Sequence, residues 1–416
     1  MLFAVRIALV IGAMATLTAQ ICEAADPHYA EEFVFDPAAE SHGHVHASTV
    51  VECPGGDLLV VYYENGPKLP SPRYYNERQD KSDDVRIGGS RKPHGSAVWE
   101  SPFVMNDTFG VSDNNPTLVV DNDGKLWLFH STMLGAPKWT WSSSLLQYKI
   151  SSDYQTPGPP KWEKSGLLIP HPQGLGEVID RLETHLKSPE LRKSYGITEQ
   201  RADALVKHMR GLADDPMRQR LGWMPRVHPL IRSDGSLVVP LSNENFEIPM
   251  MAITSDGGRT WTYSEPVPAT GLIQPSLVEF PDGDIAAYFR NGDPRHRIKR
   301  STSTDGGLTW SVPELTDRLH PGGGIEVLLL ENGHLALIYN NKERGPRDKL
   351  AVSISTDQGQ TWKWTRQLED TPNGRFDYPS MIQGQNGTIH VTYSYNLKTI
   401  KHVEFNEEWV MSDDES

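Results

Sequence analysis

Two arginines in successive repeats of the chain, Arg290 and Arg347, are the side chains best suited to hold a ligand. A guanidinium is planar and donates two parallel hydrogen bonds, the geometry a carboxylate accepts. A lone arginine more often ends in a rim ion pair, and it is the recurrence that favours binding. Three histidines within five residues, His42, His44 and His46, offer an acid or base near neutral pH, or simply a cap on the first strand. Asp80, Asp83 and Asp84 crowd one polar loop, and Glu244 follows the apolar run that ends at Leu241. Asn115, His130, Gln274 and the segment Gly322-Gly323-Gly324-Ile325-Glu326 fall beside apolar runs where they could line a pocket, although most such positions serve structure. The 15 histidines include no HExxH and no pair at ligand spacing on a helix, so neither zinc nor any other cofactor is expected.

Such residues need a scaffold, and its repeats are visible. The octapeptides Thr254–Trp261, Ser303–Trp310 and Ser355–Trp362 share Ser/Thr, Asp, Gly, Thr and Trp at fixed offsets and recur after 49 and 52 residues. Asp with Gly makes a tight turn whose carboxylate bonds local amides, and the Trp packs between layers. A second series interleaves with the first: Gly56, Gly124, Gly235, Gly283, Gly333 and Gly387 each precede an apolar or alternating run. The last four are spaced by 48, 50 and 54 residues, the length of a four-stranded propeller blade. The longer step from Gly124 to Gly235 contains residues 176–221, which carry helical periodicity and few breakers. These features predict an all-β fold, a six-bladed β-propeller in one domain over 26–416 with a helical insertion at 176–221. A seventh, diverged blade in the long step is the alternative.

Composition narrows the partners. The 416 residues carry 54 acidic and 40 basic side chains, a net charge of −14 that repels polyanions, so nucleic acid is not an expected partner. Residues 1–25 read as a signal peptide: Arg6, then an apolar stretch from Ile7 to Ile21, then small residues before Asp26. The stretch is shorter than the roughly 20 residues needed to span a bilayer, so a secreted or periplasmic protein is expected, with no membrane association. Loss of that leader would leave Cys53 as the sole cysteine, without a disulfide. The number of copies in solution is left open.

The octapeptides have the S-x-D-x-G-x-T-W form of Asp boxes, and from about His44 to His402 the chain resembles the sialidase superfamily. Asp boxes specify fold, and activity must be argued from the site. The resemblance implies a secreted, exo-acting glycosidase on an acidic sugar of a glycan, with Arg290 and Arg347 as two of three arginines on its carboxylate. It makes Tyr378 the nucleophile, since a neutral phenol can approach an anomeric centre that carries a carboxylate. The phenol needs a base, for which Glu244 is the candidate. The first-blade acid would come from the Asp80–Asp84 loop, with Asp84 a candidate proton donor. The chain departs from the family at the first arginine, where counting back from Gly56 places His46. Related propellers that act on uronic-acid polysaccharides, ulvan lyases and certain rhamnosidases, are similar in combining His with Tyr and Arg. Elimination on a uronate, or carbohydrate binding without turnover, are therefore the alternatives to hydrolysis. Gln274 and Asn115 complete the expected substrate-binding set.

Overall fold

The computed structural model describes residues 26–38, 43–66, 80–135 and 140–412. The proposed leader and His42 lie outside them. After strand β1 (Tyr29–Phe33), the first sheet comprises β2 (Val45–Glu52), β3 (Leu58–Asn65), β4 (Val85–Lys92) and β5 (Phe103–Asn106). The second comprises β6 (Ser112–Val120), β7 (Leu126–Met133), β8 (Ser144–Ser151) and β9 (Lys164–Leu168). Four helices follow: α1 (Leu175–Leu186), α2 (Pro189–Tyr195), α3 (Glu199–Ala213) and α4 (Pro216–Arg220).

The third sheet holds β10 (Trp223–Pro225), β11 (Leu230–Ile231), β12 (Leu237–Asn243), β13 (Ile248–Thr254) and β14 (Thr262–Tyr263). The fourth holds β15 (Leu272–Glu279), β16 (Ile285–Asn291), β17 (Arg297–Ser303) and β18 (Glu314–Leu319). The fifth holds β19 (Glu326–Leu329), β20 (Leu335–Tyr339), β21 (Lys349–Ser355) and β22 (Trp364–Asp370). The sixth consists of β23 (Phe376–Gln383), β24 (Ile389–Tyr395) and β25 (Thr399–Phe405), with β1 added as its outer strand, and a short α5 (Glu407–Met411) follows. This is a six-bladed β-propeller, and the long step hides helices rather than a seventh blade. Pairing Tyr29–Phe33 with Lys401–Phe405 closes the ring and removes the free edge that the last blade would otherwise expose.

The two repeat series occupy equivalent places. Each glycine of the interleaved series sits at positive φ in the turn between the first and second strands of its blade. Each Asp box turns between the third and fourth strands of blades three, four and five. Asp256 accepts from the Thr260 amide at 3.0 Å and the Thr260 hydroxyl at 2.7 Å, and Asp305 and Asp357 repeat the pattern. The box tryptophans tie neighbouring blades together. Trp261 packs edge-on against Trp127 and Phe129 of the second blade, Trp310 shares an apolar cluster with Val238 and Met251 of the third, and Trp362 meets Tyr288 of the fourth. Rings of this size bury about 150–250 Å² each, enough to make each blade depend on the one before it.

Helices α1 and α3 exist because each has one apolar stripe. Leu175, Ile179, Leu182 and Leu186 of α1 and Ala202, Val206 and Met209 of α3 are buried in one cluster with Phe246 and Ile248 of the third blade. Ser188, Thr198 and Asp215 cap the N-termini of α2, α3 and α4 with side-chain oxygens.

Around the axis the innermost strands are stitched by side chains that bond a neighbour's backbone. Thr49 donates to Pro116 O at 3.0 Å, Thr117 to Val227 O at 2.9 Å, and the Ser380 hydroxyl accepts the Val50 amide at 3.1 Å. Strands of neighbouring blades splay apart and cannot pair directly, so these side chains satisfy groups that would otherwise be buried without partners.

Candidate active site

Four of the innermost strands break register with their second strand at one place: between His46 and Thr49, Asn114 and Thr117, Ile273 and Pro275, and Asp377 and Ser380. Within those breaks Ala47, Asn115, Gln274 and Tyr378 have φ of 55°, 47°, 54° and 51°. A bulge whose first residue is left-handed re-aims a side chain that the pleat would have pointed elsewhere, and a following proline, as at 116, 275 and 379, has no N–H to lose from the ladder. Left-handed backbone disfavours any residue with a Cβ, and its recurrence here belongs with a functional site.

Tyr378 stands at the centre of the constellation. Its hydroxyl oxygen accepts a hydrogen bond from Arg290 Nη1 at 2.9 Å and one from Gln274 Nε2 at 3.4 Å, while Arg290 also donates to Gln274 Oε1 at 3.4 Å. The Arg347 guanidinium lies 5.8 Å from the ring centroid and Arg290's 6.0 Å away. Burial alone would push the phenol up, but the charges of Arg290 and Arg347 and the Gln274 amide outweigh it and hold Tyr378 below its usual 10. Both hydrogen-bond partners of the oxygen are donors, so the environment favours the phenolate.

The glycine run beside it has a steric reason. A Cβ on Gly324 would stand 3.0 Å from Tyr378 Cδ1, and one on Gly323 would collide with Asn340 Oδ1. Asn340 in turn donates to Phe376 O at 2.9 Å and so braces the segment leading into Tyr378. Gly322 contributes its carbonyl, which accepts from Arg347 Nη2 at 2.9 Å.

Arg347 is less free than the sequence suggests. It donates to Asp377 Oδ1 at 2.8 Å, and Arg375 donates to the other oxygen at 2.5 Å. Asp377 is fully buried; burial pushes its carboxyl up, and the charges of Arg347 and Arg375 bring it below the usual range. His46 lies at the same point, its ring edge-on to Tyr378 with centroids 4.5 Å apart and its Nδ1 3.0 Å from the Ser394 hydroxyl. Burial holds His46 far below 6.5, so it is neutral. It packs against the phenol ring, with Tyr63 behind it at 5.5 Å.

Glu244 is close enough to Arg290 for their charges to interact. Among the described residues no carboxylate is hydrogen-bonded to the phenol oxygen of Tyr378, whose partners are Arg290 and Gln274. Burial raises the Glu244 carboxyl above its usual value, against the charges of Arg290 and Lys81. In the first-blade loop Asp84 is held within its own blade by Ser82 and by Asn65, whose Nδ2 is 2.9 Å away. Asp80 is the loop acid whose charge reaches Tyr63 and helps to raise that phenol. Asn115 donates to Met224 Sδ at 3.2 Å. His130 is buried within the second blade, 3.6 Å from Asp113, and Glu326 lies in the channel, where it holds His228 at 2.6 Å and the Met381 amide at 2.6 Å.

One residue escaped the sequence reading. Arg226, fully buried, places its guanidinium 5.0 Å from the Tyr378 ring centroid and donates to Ser48 O at 2.9 Å, Tyr378 O at 2.9 Å and Pro379 O at 3.1 Å. Burial lowers it to about 10, and it remains charged. It follows β10, whose inner-strand nature is obscured by the helices that precede it.

Residues 201–391 match the family described as a BNR repeat-like domain. The chain is 29% identical over 184 residues to the anhydrosialidase of Macrobdella decora, a stretch that covers 38% of this chain and 23% of that protein. It thus spans about a quarter of that relative's length. Among solved structures it is similar to a protein of unknown function from Dyadobacter fermentans, with a TM-score of 0.62 at 17% identity over 90% of this chain and 97% of that one. It is also similar to the intramolecular trans-sialidase of Ruminococcus gnavus, with a TM-score of 0.63 at 14% identity over 92% of this chain and 98% of that one. At these identities the likeness is one of fold. The chain is a BNR-repeat, sialidase-like six-bladed β-propeller, and sialidases are its distant homologues.

Proposed function

We propose that the protein is an exported glycosidase acting on an acidic sugar of a glycan, with Tyr378 as the reacting group. The observation that carries this reading is the Tyr378 hydroxyl, which accepts from Arg290 and Gln274 and is held below its usual pKa by two arginines. Arg290 and Arg347 would bind the substrate's acidic group, Arg347 while one nitrogen of its fork bonds Asp377 and the other the Gly322 carbonyl. The phenol oxygen would attack the anomeric carbon as the glycosidic C–O bond breaks, and the departing oxygen would take a proton. Glu244, whose carboxyl is raised while the phenol is lowered, suits that donor, and environments that push two pKa values apart are how acid and nucleophile roles are divided. Asp80 is the other acid near the constellation. Water would then release the sugar from Tyr378.

A second reading, elimination on a uronate, is favoured by one feature: among the described residues no carboxylate is bonded to the Tyr378 oxygen, so a phenolate could serve as base toward an acidified C–H. Both readings are tested by incubating the mature protein and Tyr378→Phe with sialosides and uronic-acid polysaccharides, while following new reducing ends and the ultraviolet absorbance of unsaturated uronate. Reducing ends without absorbance support hydrolysis, and both signals together mean elimination. Neither signal, with binding retained, would leave a carbohydrate-binding propeller.

A further inference from the structure

The closing blade carries a cluster that the pocket does not use. On β25, His402 and Glu404 point to one face of the sheet; cross-strand pairing sets His390 of β24 opposite Glu404 and Glu32 of β1 opposite His402. His390 Nδ1 lies 3.1 Å from His402 Nε2 and 3.8 Å from Glu404 Oε2, and one ligand atom from each of the three residues falls within 4.8 Å of the others. Tetrahedral zinc, with bonds to nitrogen of about 2.0–2.1 Å, sets its ligand atoms a little over 3 Å apart, so the two imidazoles already stand at the edge length and the carboxylate needs a small rotation.

The surroundings are those of a ligand set. His402 Nδ1 is 3.0 Å from Glu32 Oε1 and donates its proton there, which turns the Nε2 lone pair toward His390. This carboxylate–imidazole pair is the outer-shell arrangement that orients a metal-binding histidine. Glu32 is itself fixed by Lys92 Nζ at 2.6 Å and Trp99 Nε1 at 3.0 Å, which holds its carboxylate in place beside His402. His28 Nε2, 3.4 Å from Glu404 Oε1, is within reach as a fourth ligand. His390 and Glu404 line a cleft of about 650 Å³ between the last and first blades, which gives an ion a way in.

We propose that His390, His402 and Glu404 bind a divalent transition metal of the zinc type, with Glu32 orienting His402. On binding, His390 moves its proton from Nδ1 to Nε2 and presents Nδ1 to the ion, so no oxidant, reductant or covalent change is needed. The location assigns the role. The ligands come from the two C-terminal strands and their orienting carboxylate from the N-terminal strand, so the ion would clamp the seam at which the ring closes. Sequence reading missed it because a helical spacing was sought, whereas here the alternation of a strand and the register of its neighbours bring the ligands together.

The experiment uses tag-free, full-length mature protein stripped with a chelator and titrated with Zn²⁺ by calorimetry, with Tm measured with and without the ion. The expected result is one Zn²⁺ per chain and a raised Tm. Affinity should fall by at least about 100-fold in His390→Gln and in Glu404→Gln, and by about 10–100-fold in Glu32→Gln. Glu404 is partly exposed, so its variant keeps the test open should His390→Gln fold poorly. No stoichiometric binding by the wild type, an unchanged Tm, or binding that persists in Glu404→Gln would overturn the proposal. None of these readouts depends on turnover at Tyr378.

Discussion

Asp377 and Tyr378 are adjacent in sequence and opposed in effect: the buried Asp377 carboxylate draws Arg347 to 2.8 Å and raises the Tyr378 phenol, while Arg290 and Arg347 lower it. The arginines prevail, and the phenol is left more acidic than a free tyrosine. The arrangement keeps a strongly cationic pocket balanced in the absence of an acidic ligand.

Replacing Tyr378 by Phe removes the oxygen and leaves the ring that His46 and Arg226 pack against. Turnover of the acidic glycan should fall by about 10²–10⁴-fold while Tm shifts little. Initial rates and thermal melts on the same preparation check it, and an active Phe variant would exclude Tyr378 from the chemistry.

Arg290→Gln should raise the Tyr378 pKa, because Arg290 contributes both a charge and a hydrogen bond to the phenolate. The acidic limb of the pH–rate profile, on which the phenol must lose its proton, should move to higher pH, and KM for the acidic substrate should rise. Arg290→Lys should restore the pKa better than the KM, since an ammonium supplies the charge without the fork. Equal recovery of both would argue against bidentate binding.

Gly324→Ala tests the close approach of the fifth blade to the reacting ring. The added methyl meets Tyr378 Cδ1 at 3.0 Å and Cα at 3.1 Å, and the backbone contact cannot yield as a side chain would. We expect a stability loss of about 1–3 kcal/mol and a fall in kcat larger than any change in substrate affinity. Urea denaturation and steady-state kinetics separate the two.

Stability should fall as the solution is acidified below about pH 6.5. His46, His130 and His320 are buried and held below that value, His320 at about 3, chiefly by burial. His320 Nε2 accepts the Asn291 amide at 3.2 Å and so must be unprotonated in the fold. The unfolded chain takes up these protons near pH 6.5 and the folded chain does so only at lower pH. The stabilisation is therefore complete above 6.5 and declines below it, by at most about 1.4 kcal/mol per pH unit for each histidine. Denaturation at pH 7.5 and 5.0 should show the slope, and His320→Gln should flatten it.

Arg226→Met should destabilise the ring by several kcal/mol, because three buried carbonyls on two blades lose their donor at once, at about 1–3 kcal/mol for each unsatisfied group. A variant as stable as the wild type would show that water replaces the guanidinium.

Much of the architecture was legible because a propeller repeats itself. Local turn chemistry at Asp256, Asp305 and Asp357, and a positive-φ glycine in every blade, are properties of a few adjacent residues, and their spacing counts the blades. Arg290 and Arg347 could be singled out from their places in the repeat and Tyr378 from the resemblance to sialidases, and the fold brings all three together. The sequence could not say which acid serves Tyr378. Glu244 and Asp84 lie in loops, where chain position does not determine direction, and Asp84 turns back to Asn65 while Gln274 takes the place beside the phenol. Arg226 was hidden because its partners on the first and sixth blades become adjacent only when six blades close around one axis, and the trio His390, His402 and Glu404 because it depends on the register between two strands, with Glu32 added across the seam. Periodicity is a local property and survives in the sequence; convergence on an axis, or across the seam where β1 meets β25, depends on long-range register and is decided only by the folded ring.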